Sequence, residues 1–260
     1  MKNINVTAYI MGIAHPQRLE WLKFNIDTMD EQNFPFKKKI ISIDQFNGHL
    51  VPLELVEHFE GRGWTVLLDS HRSRVASMDR AFNLIDTEYM FYNEDDVLST
   101  LPNIEDLTET FNTYVGSRKC GMISMTLGGT QYDGSSGNIG DLRYMMENII
   151  VESDEYIIFR RLEEFKNSWF FEFPGLWIRT TLFKNCHNKS KSMGGQIEQV
   201  LTRAYISSRY IDEYYKSSVA KKGSLNILLE DGNKVNSHCR LLTNLDPSQG
   251  NSPLGGNHLY

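Results

Sequence analysis

Cysteine is scarce and unpatterned in this chain. Cys120, Cys186 and Cys239 are the three it has, and no two stand as CxxC. An odd count without spacing excludes a disulfide-stapled secreted framework, and a reducing cytoplasm is the simplest home to expect. Long hydrophobic runs are also missing: no stretch approaches the roughly 20 apolar residues of a membrane helix, so no transmembrane segment is expected. The opening MKNINVTAYIMGIAHPQR breaks its apolar run with Asn and Thr and ends at His15 and Pro16, unlike a cleaved signal peptide. The sequons NVT and NKS then carry no glycosylation expectation. Basic excess is absent too. A net charge of −6 and a pI near 5.7 provide no global field for nucleic acid or an anionic membrane, leaving at most a local basic groove. GxxxxGK, GxSxG and HExxH are not found, which removes several NTPase and hydrolase classes.

What is present is an ordinary globular composition: 260 residues, 40% hydrophobic and 12% aromatic, enough to bury a full core. NVTAYIMGI reads as a first strand ending near Gly12. Pro16 suits a helix start, and Leu19, Leu22, Ile26 and Met29 form one apolar stripe. KKIISID is a second strand ending at Asp44, PLELVEHFEGRG a helix stopped by Gly61 and Gly63, and WTVLLD a third strand ending at Asp69 and Ser70. A helix carrying Val75, Met78, Ala81, Phe82 and Ile85 follows, then a fourth strand, EYMFYN. Four alternations predict an α/β fold: a mostly parallel, Rossmann-like central sheet with helices on both faces. Ligands of such sheets bind beyond the carboxyl ends of the strands, where Gly12, Asp44, Asp69 and the acidic run Glu94, Asp95, Asp96 all fall.

NIEDLTETFNTYV predicts a helix capped by Asn103, and KCGMISMTL another strand. GGTQYDGSSGNIGD reads as a surface loop, EYIIFRRLEEF and GLWIRTTLF as strands, GGQIEQVLTRAYISSRYI as a helix and SLNILLEDGNKVNSHC as a hairpin. No repeat or linker interrupts the chain. The expectation is one domain over residues 1–245, with an irregular C-terminal part, a nucleotide-binding half at 1–115, an acceptor-binding half at 116–245 and a flexible tail at 246–260.

Three adjacent carboxylates at a strand end repel one another unless they face solvent or a cation. Carboxylates without His or Cys clusters favour hard ions such as Mn²⁺ or Mg²⁺, which bind through one or two carboxylates and substrate phosphates. Cys186, His187, His238 and Cys239 do not suit zinc, because adjacent residues rarely both ligate one tetrahedral ion. Arg72 and Arg74, just past the third strand, are candidate cationic donors to a diphosphate, with an exposed loop as the equal alternative.

The strand–helix alternation, Asp44 in ISIDQFNG and the run NEDDVLSTLPNIEDL resemble the A-type (GT-A) nucleotide-sugar glycosyltransferases, whose D-x-D motif also occurs as E-D-D. The resemblance covers about the first 115 residues well and the rest in outline. It implies Asp96 as a direct Mn²⁺ or Mg²⁺ ligand, Asp95 supporting metal and sugar, Glu94 near the ribose, and Asp44 accepting from the base. Gly12 would line the same nucleotide-sugar site, and a late histidine, His238, would complete the metal, with a hydrogen-bonded surface histidine as the plain alternative. It further implies a nucleoside-diphosphate sugar of the UDP or GDP type as donor and a glycan or other hydroxyl as acceptor. An inverting enzyme of this kind needs a base, often placed after a GG, whereas a retaining mechanism, the open alternative, needs none. In GGQIEQVLTR, Gln196 and Ile197 hold the usual acidic positions, so Glu198 becomes the candidate, with a helix-surface Glu as the plain alternative. In NSWFFEFPGLWIRTTLF, Trp169 or Trp177 is a candidate sugar platform among core aromatics. The competing readings are a nucleotidyltransferase making nucleotide sugars, which would want a Gly-rich, basic loop after the first strand, and a non-catalytic carbohydrate-binding module.

Overall fold

Val6–Ile13 forms β1, and its partners on either side, β2 (Lys38–Asp44) and β4 (Tyr89–Glu94), run parallel to it. In this computed structural model the described residues are 3–45, 48–70, 74–95, 101, 103–112, 122–124, 149–152, 156–160, 176–192 and 217–221. β3 (Thr65–Asp69) lies parallel outside β2. The remaining strands are β5 (Met122–Ser124), β6 (Ile149–Glu152), β7 (Tyr156–Arg160), β8 (Leu176–Arg179) and β9 (Ser217–Lys221). They continue one nine-stranded sheet in the order β3-β2-β1-β4-β8-β5-β9-β7-β6. Every pairing in that second half is antiparallel except β5 with β9.

The helices are α1 (Pro16–Glu31), α2 (Leu53–Gly61), α3 (Arg74–Leu84), α4 (Ile104–Thr110) and α5 (Thr180–Ser190). Alternation along each strand sends side chains to two separate cores. Val6, Ala8 and Ile10 of β1, with Ile41, Ile43 and Phe91, pack against Leu19, Leu22 and Ile26 of α1, Phe59 of α2 and Leu107 of α4. Tyr9, Ile40, Met90 and Tyr92 face Met78, Ala81 and Phe82 of α3 and Leu182, Phe183 and Cys186 of α5. Being buried on both faces, these strands read as continuous apolar runs instead of alternating ones.

Helix ends follow local chemistry. Pro16 opens α1, where its missing N–H costs nothing. The chain leaves α1 through Asn33 at φ 52°, a left-handed position that Asn tolerates better than most residues. α2 closes on Gly63 at φ 80°: Gly63 N–H donates to Glu60 O at 2.9 Å and Trp64 N–H to Phe59 O at 3.1 Å, a Schellman arrangement. The Asn103 cap is present, its side chain accepting from Glu105 N–H at 2.7 Å.

One expected strand divides. GLWIRTTLF is a strand only over Leu176–Arg179; Thr180 N–H donates to Glu88 O at 3.0 Å, the ladder stops, and α5 begins. Two threonines favour a strand locally, but Leu182, Phe183 and Cys186 have a core to fill and tertiary packing decides. Trp177 is fully buried against Phe34, Phe36 and Phe91, so it is a core residue and not a sugar platform. β6 and β9 were not expected from the sequence. The loop at 128–141, Trp169, the helix from 194 and the hairpin near 231 lie outside the described residues.

α3 and α5 are held together by His187, whose Nε2 lies 2.9 Å from Asp79 Oδ1, with Lys191 Nζ on the same oxygen at 2.5 Å. Because the Asp79 carboxylate accepts, Nε2 carries the proton, and Nδ1 has no hydrogen-bond partner among the described residues. Burial pushes the His187 pKa down, and Asp79 only partly opposes this. The unfolded chain therefore takes up the proton first. The contribution of His187 to stability is complete above about pH 6.5 and is lost as pH falls through its lowered value. Urea midpoints measured from pH 7.5 to 5 are expected to fall more for the wild type than for His187→Gln; parallel curves would contradict it.

Candidate active site at the strand carboxyl ends

The sheet register aligns the strand ends. Ile13 stands opposite Asp44, Asp44 opposite Asp69, and Met11 opposite Glu94. With neighbouring strands about 4.8 Å apart, the backbones of Asp44 and Glu94 are on the order of 10 Å apart across β1. Alternation puts Asp44, Asp69 and Glu94 on the α3 face, continuing Ile40, Leu67 and Tyr92. One edge of the sheet thus presents carboxylates from three strands.

Their environments differ. Asp44 is half-buried, and its carbonyl accepts from Ala14 N–H at 2.8 Å. Asp69 is fully buried and bound at Oδ1 by Arg80, which also donates to Leu68 O at 2.9 Å; this pair ties α3 to β3. Glu94 is buried at the rim, with the Tyr92 hydroxyl 3.4 Å from Oε1. Asp95 is fully buried, and both its oxygens are bound by Arg18 of α1: Nε to Oδ2 at 3.0 Å, and Nη2 to Oδ1. Ile13 N–H also donates to Oδ2 at 3.0 Å.

Gly12 underlies this contact. A Cβ there would come within 3.1 Å of Leu22 Cδ2 and 3.4 Å of Asp95 Cβ and Oδ2, so any larger residue must push the Leu22 side chain aside. Gly12→Ala is expected to overpack the junction and lower stability by about 1–3 kcal/mol in a thermal melt; an unchanged melting temperature would show that Leu22 yields freely.

Two histidines stand at the same end. His15, at the start of α1, and His49 meet edge to face at 5.4 Å. Burial, then the nearby His49 and Arg18, keep the His15 pKa below its ordinary value. At the opposite end of the strands a depression of about 340 Å³ is lined by Phe34, Phe36, Asp30, Lys39 and Arg62. Its cations are already engaged with Asp30 and Asp27, so it presents no open binding group.

The structure therefore brings Gly12, Asp44, Glu94 and Asp95 to one edge. Arg74 begins α3, with its side chain outside the described residues. Arg72, Asp96, Glu198 and His238 also lie outside them. α5 runs antiparallel to α3, Lys184 reaching Ile85 O and Lys191 reaching Asp79, so the chain leaves α5 toward the carboxyl ends. Arg18 went unrecognised in the sequence. Its signal was a polar residue on the stripe 18, 22, 25, 29 that α1 buries, a stripe that also holds Asn25.

Among the described residues no three His, Cys, Asp or Glu side chains converge closely enough to hold a metal. Glu94 and Asp44 are hard oxygen donors, the ligand type that Mg²⁺ or Mn²⁺ takes, but they stand on strands separated by β1. The soft alternative is unsuited: the Cys186 thiol is buried and its pKa pushed up to about 12. Among the described residues no helix is long and apolar enough to cross a membrane.

This sheet, with the helices that cover it, matches the A-type (GT-A) glycosyltransferase fold. The particular likeness is to TarS of S. aureus. Its residues 1–349 in complex with UDP match with a TM-score of 0.51 and 11% identity over 84% of this chain and 57% of that one. The same fragment without ligand matches at 0.50 and 13% over the same shares, and with UDP-GlcNAc at 0.50 and 11% over 84% and 55%. The chain thus spans little more than half the length of these structures. No protein-family model and no curated protein matches it.

Proposed function

We propose that the protein is a glycosyltransferase that moves a sugar from a nucleoside-diphosphate sugar to an acceptor hydroxyl, with a divalent Mn²⁺ or Mg²⁺ and with inversion at the anomeric carbon. The observation that carries this reading is the carboxylate edge: Asp44 and Glu94 on one face at the carboxyl ends of a parallel, Rossmann-like half-sheet. Asp44 accepts from the nucleobase and Glu94 faces the ribose. Asp96, next along the chain, and His238 hold the metal, which when bound offsets charge developing on the departing diphosphate. Arg72 and Arg74 add donors to the same phosphates. Glu198 takes the acceptor proton, supported by the direction in which the chain leaves α5. The scarcity of cysteine and the lack of a CxxC pair support a reducing, cytoplasmic setting.

The competing nucleotidyltransferase reading loses ground at Gly12. Gly12, near the end of β1, is packed against Leu22 and Asp95, and the connection Ala14–His15 holds no glycine, leaving no glycine-rich cradle for a triphosphate. Since TarS is solved with UDP and UDP-GlcNAc, uridine nucleotides are the first to try. Isothermal titration against UDP, GDP and their sugars, with Mn²⁺ and with EDTA, is expected to show metal-promoted binding that Asp96→Ala abolishes. Metal-independent binding would overturn the ion assignment, no binding the donor class, and binding without transfer to any acceptor would point to a carbohydrate-binding module.

A further inference from the structure

Resting on the donor-site reading above, we propose that Arg18 is a positioning residue of that site and that Asp95 is its partner, not a contact to metal or sugar. The resemblance to the A-type enzymes assigns Asp95 to the ligand. The geometry spends it elsewhere. Both carboxylate oxygens are bound within the chain, by the Arg18 fork and by Ile13 N–H, and the Asp95 and Arg18 side chains are only 1% and 7% exposed.

The pair does more than fill space. Asp95 N–H donates to Met11 O at 2.9 Å, and Asn25, about two turns beyond Arg18 on the same face of α1, donates to Glu94 O at 2.8 Å. The backbone of residues 94 and 95 is therefore clamped between β1 and α1. With its main chain fixed and its neighbour turned to the α1 face, Glu94 is left on the α3 face, the face that Asp44 shares across β1. Arg18 also neutralises the middle one of three adjacent negative charges, so that only the repulsion between Glu94 and Asp96 is left at the edge. The fork is what suits arginine: its planar donors match both carboxylate oxygens at once, and its charge over the Trp21 ring at 5.7 Å steadies it.

At Arg18 electrostatics and positioning predict opposite signs, which makes the proposal testable there. Removing a positive charge near a cation site strengthens cation binding if charge alone matters. Removing a positioning group weakens it. Mn²⁺ binding in the presence of UDP, followed by the electron paramagnetic resonance of free Mn²⁺, is measured for the wild type, Arg18→Gln, Asp95→Asn and the double variant. Each single change is expected to weaken binding about 10-fold or more, as loss of a ligand-orienting partner does, and the double to be no weaker than the worse single. Leu182→Ala, far from the edge, is the control: it lowers the melting temperature without altering Mn²⁺ affinity. Equal or tighter binding by Arg18→Gln, or effects that add in the double, overturns the proposal. Should Arg18→Gln fail to fold, Arg18→Lys keeps the charge and loses the fork; weakened binding supports the proposal and wild-type binding overturns it. A wild type that binds neither Mn²⁺ nor UDP overturns the donor-site reading itself.

Discussion

Trp177→Ala is expected to destabilise the protein by about 3–5 kcal/mol, a fall in melting temperature on the order of 10 °C. Trp177 sits on β8 between Phe91 on β4 and Ile123 on β5, where the parallel half of the sheet meets the antiparallel half. Its ring centroid lies 4.5 Å from that of Phe91 and 5.1 Å from that of Phe34, and it stacks on Phe36. Truncation leaves a cavity at the one seam joining β1–β4 to the strands beyond, and the neighbouring aromatic rings are too rigid to collapse into it. UDP binding per folded molecule is expected to stay as in the wild type. A variant with unchanged melting temperature and weakened sugar binding would return Trp177 to the surface role its aromatic neighbourhood first suggested.

The first ninety-odd residues were legible because local pattern and tertiary demand agree there. KKIISID is a strand over the same residues, Lys38–Asp44, and Asn103 caps its helix as its side chain dictates. β4 runs one residue further than its apolar run, to Glu94, because the ladder with Met11 continues after hydrophobicity ends. Elsewhere the partner decides. SSVAK becomes β9 only by lying between β5 and β7, neither of which is near it in sequence, and nothing in two serines announces that.

At the site, placement was legible and partnership was not. Asp44, Asp69 and Glu94 could be assigned to strand ends by counting, and the register confirms their common edge. Adjacency of Glu94, Asp95 and Asp96 suggested one shared task. Period-2 alternation divides them instead, with Glu94 toward α3 and Asp95 toward α1, and only the structure shows which helix supplies the counter-charge.

That division predicts opposite stability effects from two neighbouring aspartates. Asp95→Ala leaves the Arg18 guanidinium buried without its acceptor and frees the Ile13 N–H, at a cost of about 3–5 kcal/mol. Asp95→Asn is expected to cost less, because the amide oxygen still accepts one of the two Arg18 bonds. Asp96→Ala carries no such debt: deleting one of adjacent like charges relieves repulsion, so its melting temperature is expected to match or exceed that of the wild type while metal-promoted nucleotide binding is lost. Thermal melts and titrations on the same samples separate the two. Equal destabilisation by both substitutions would mean that the acidic run acts as a unit, and the assignment of Asp95 to the fold and Asp96 to the ligand would fall together.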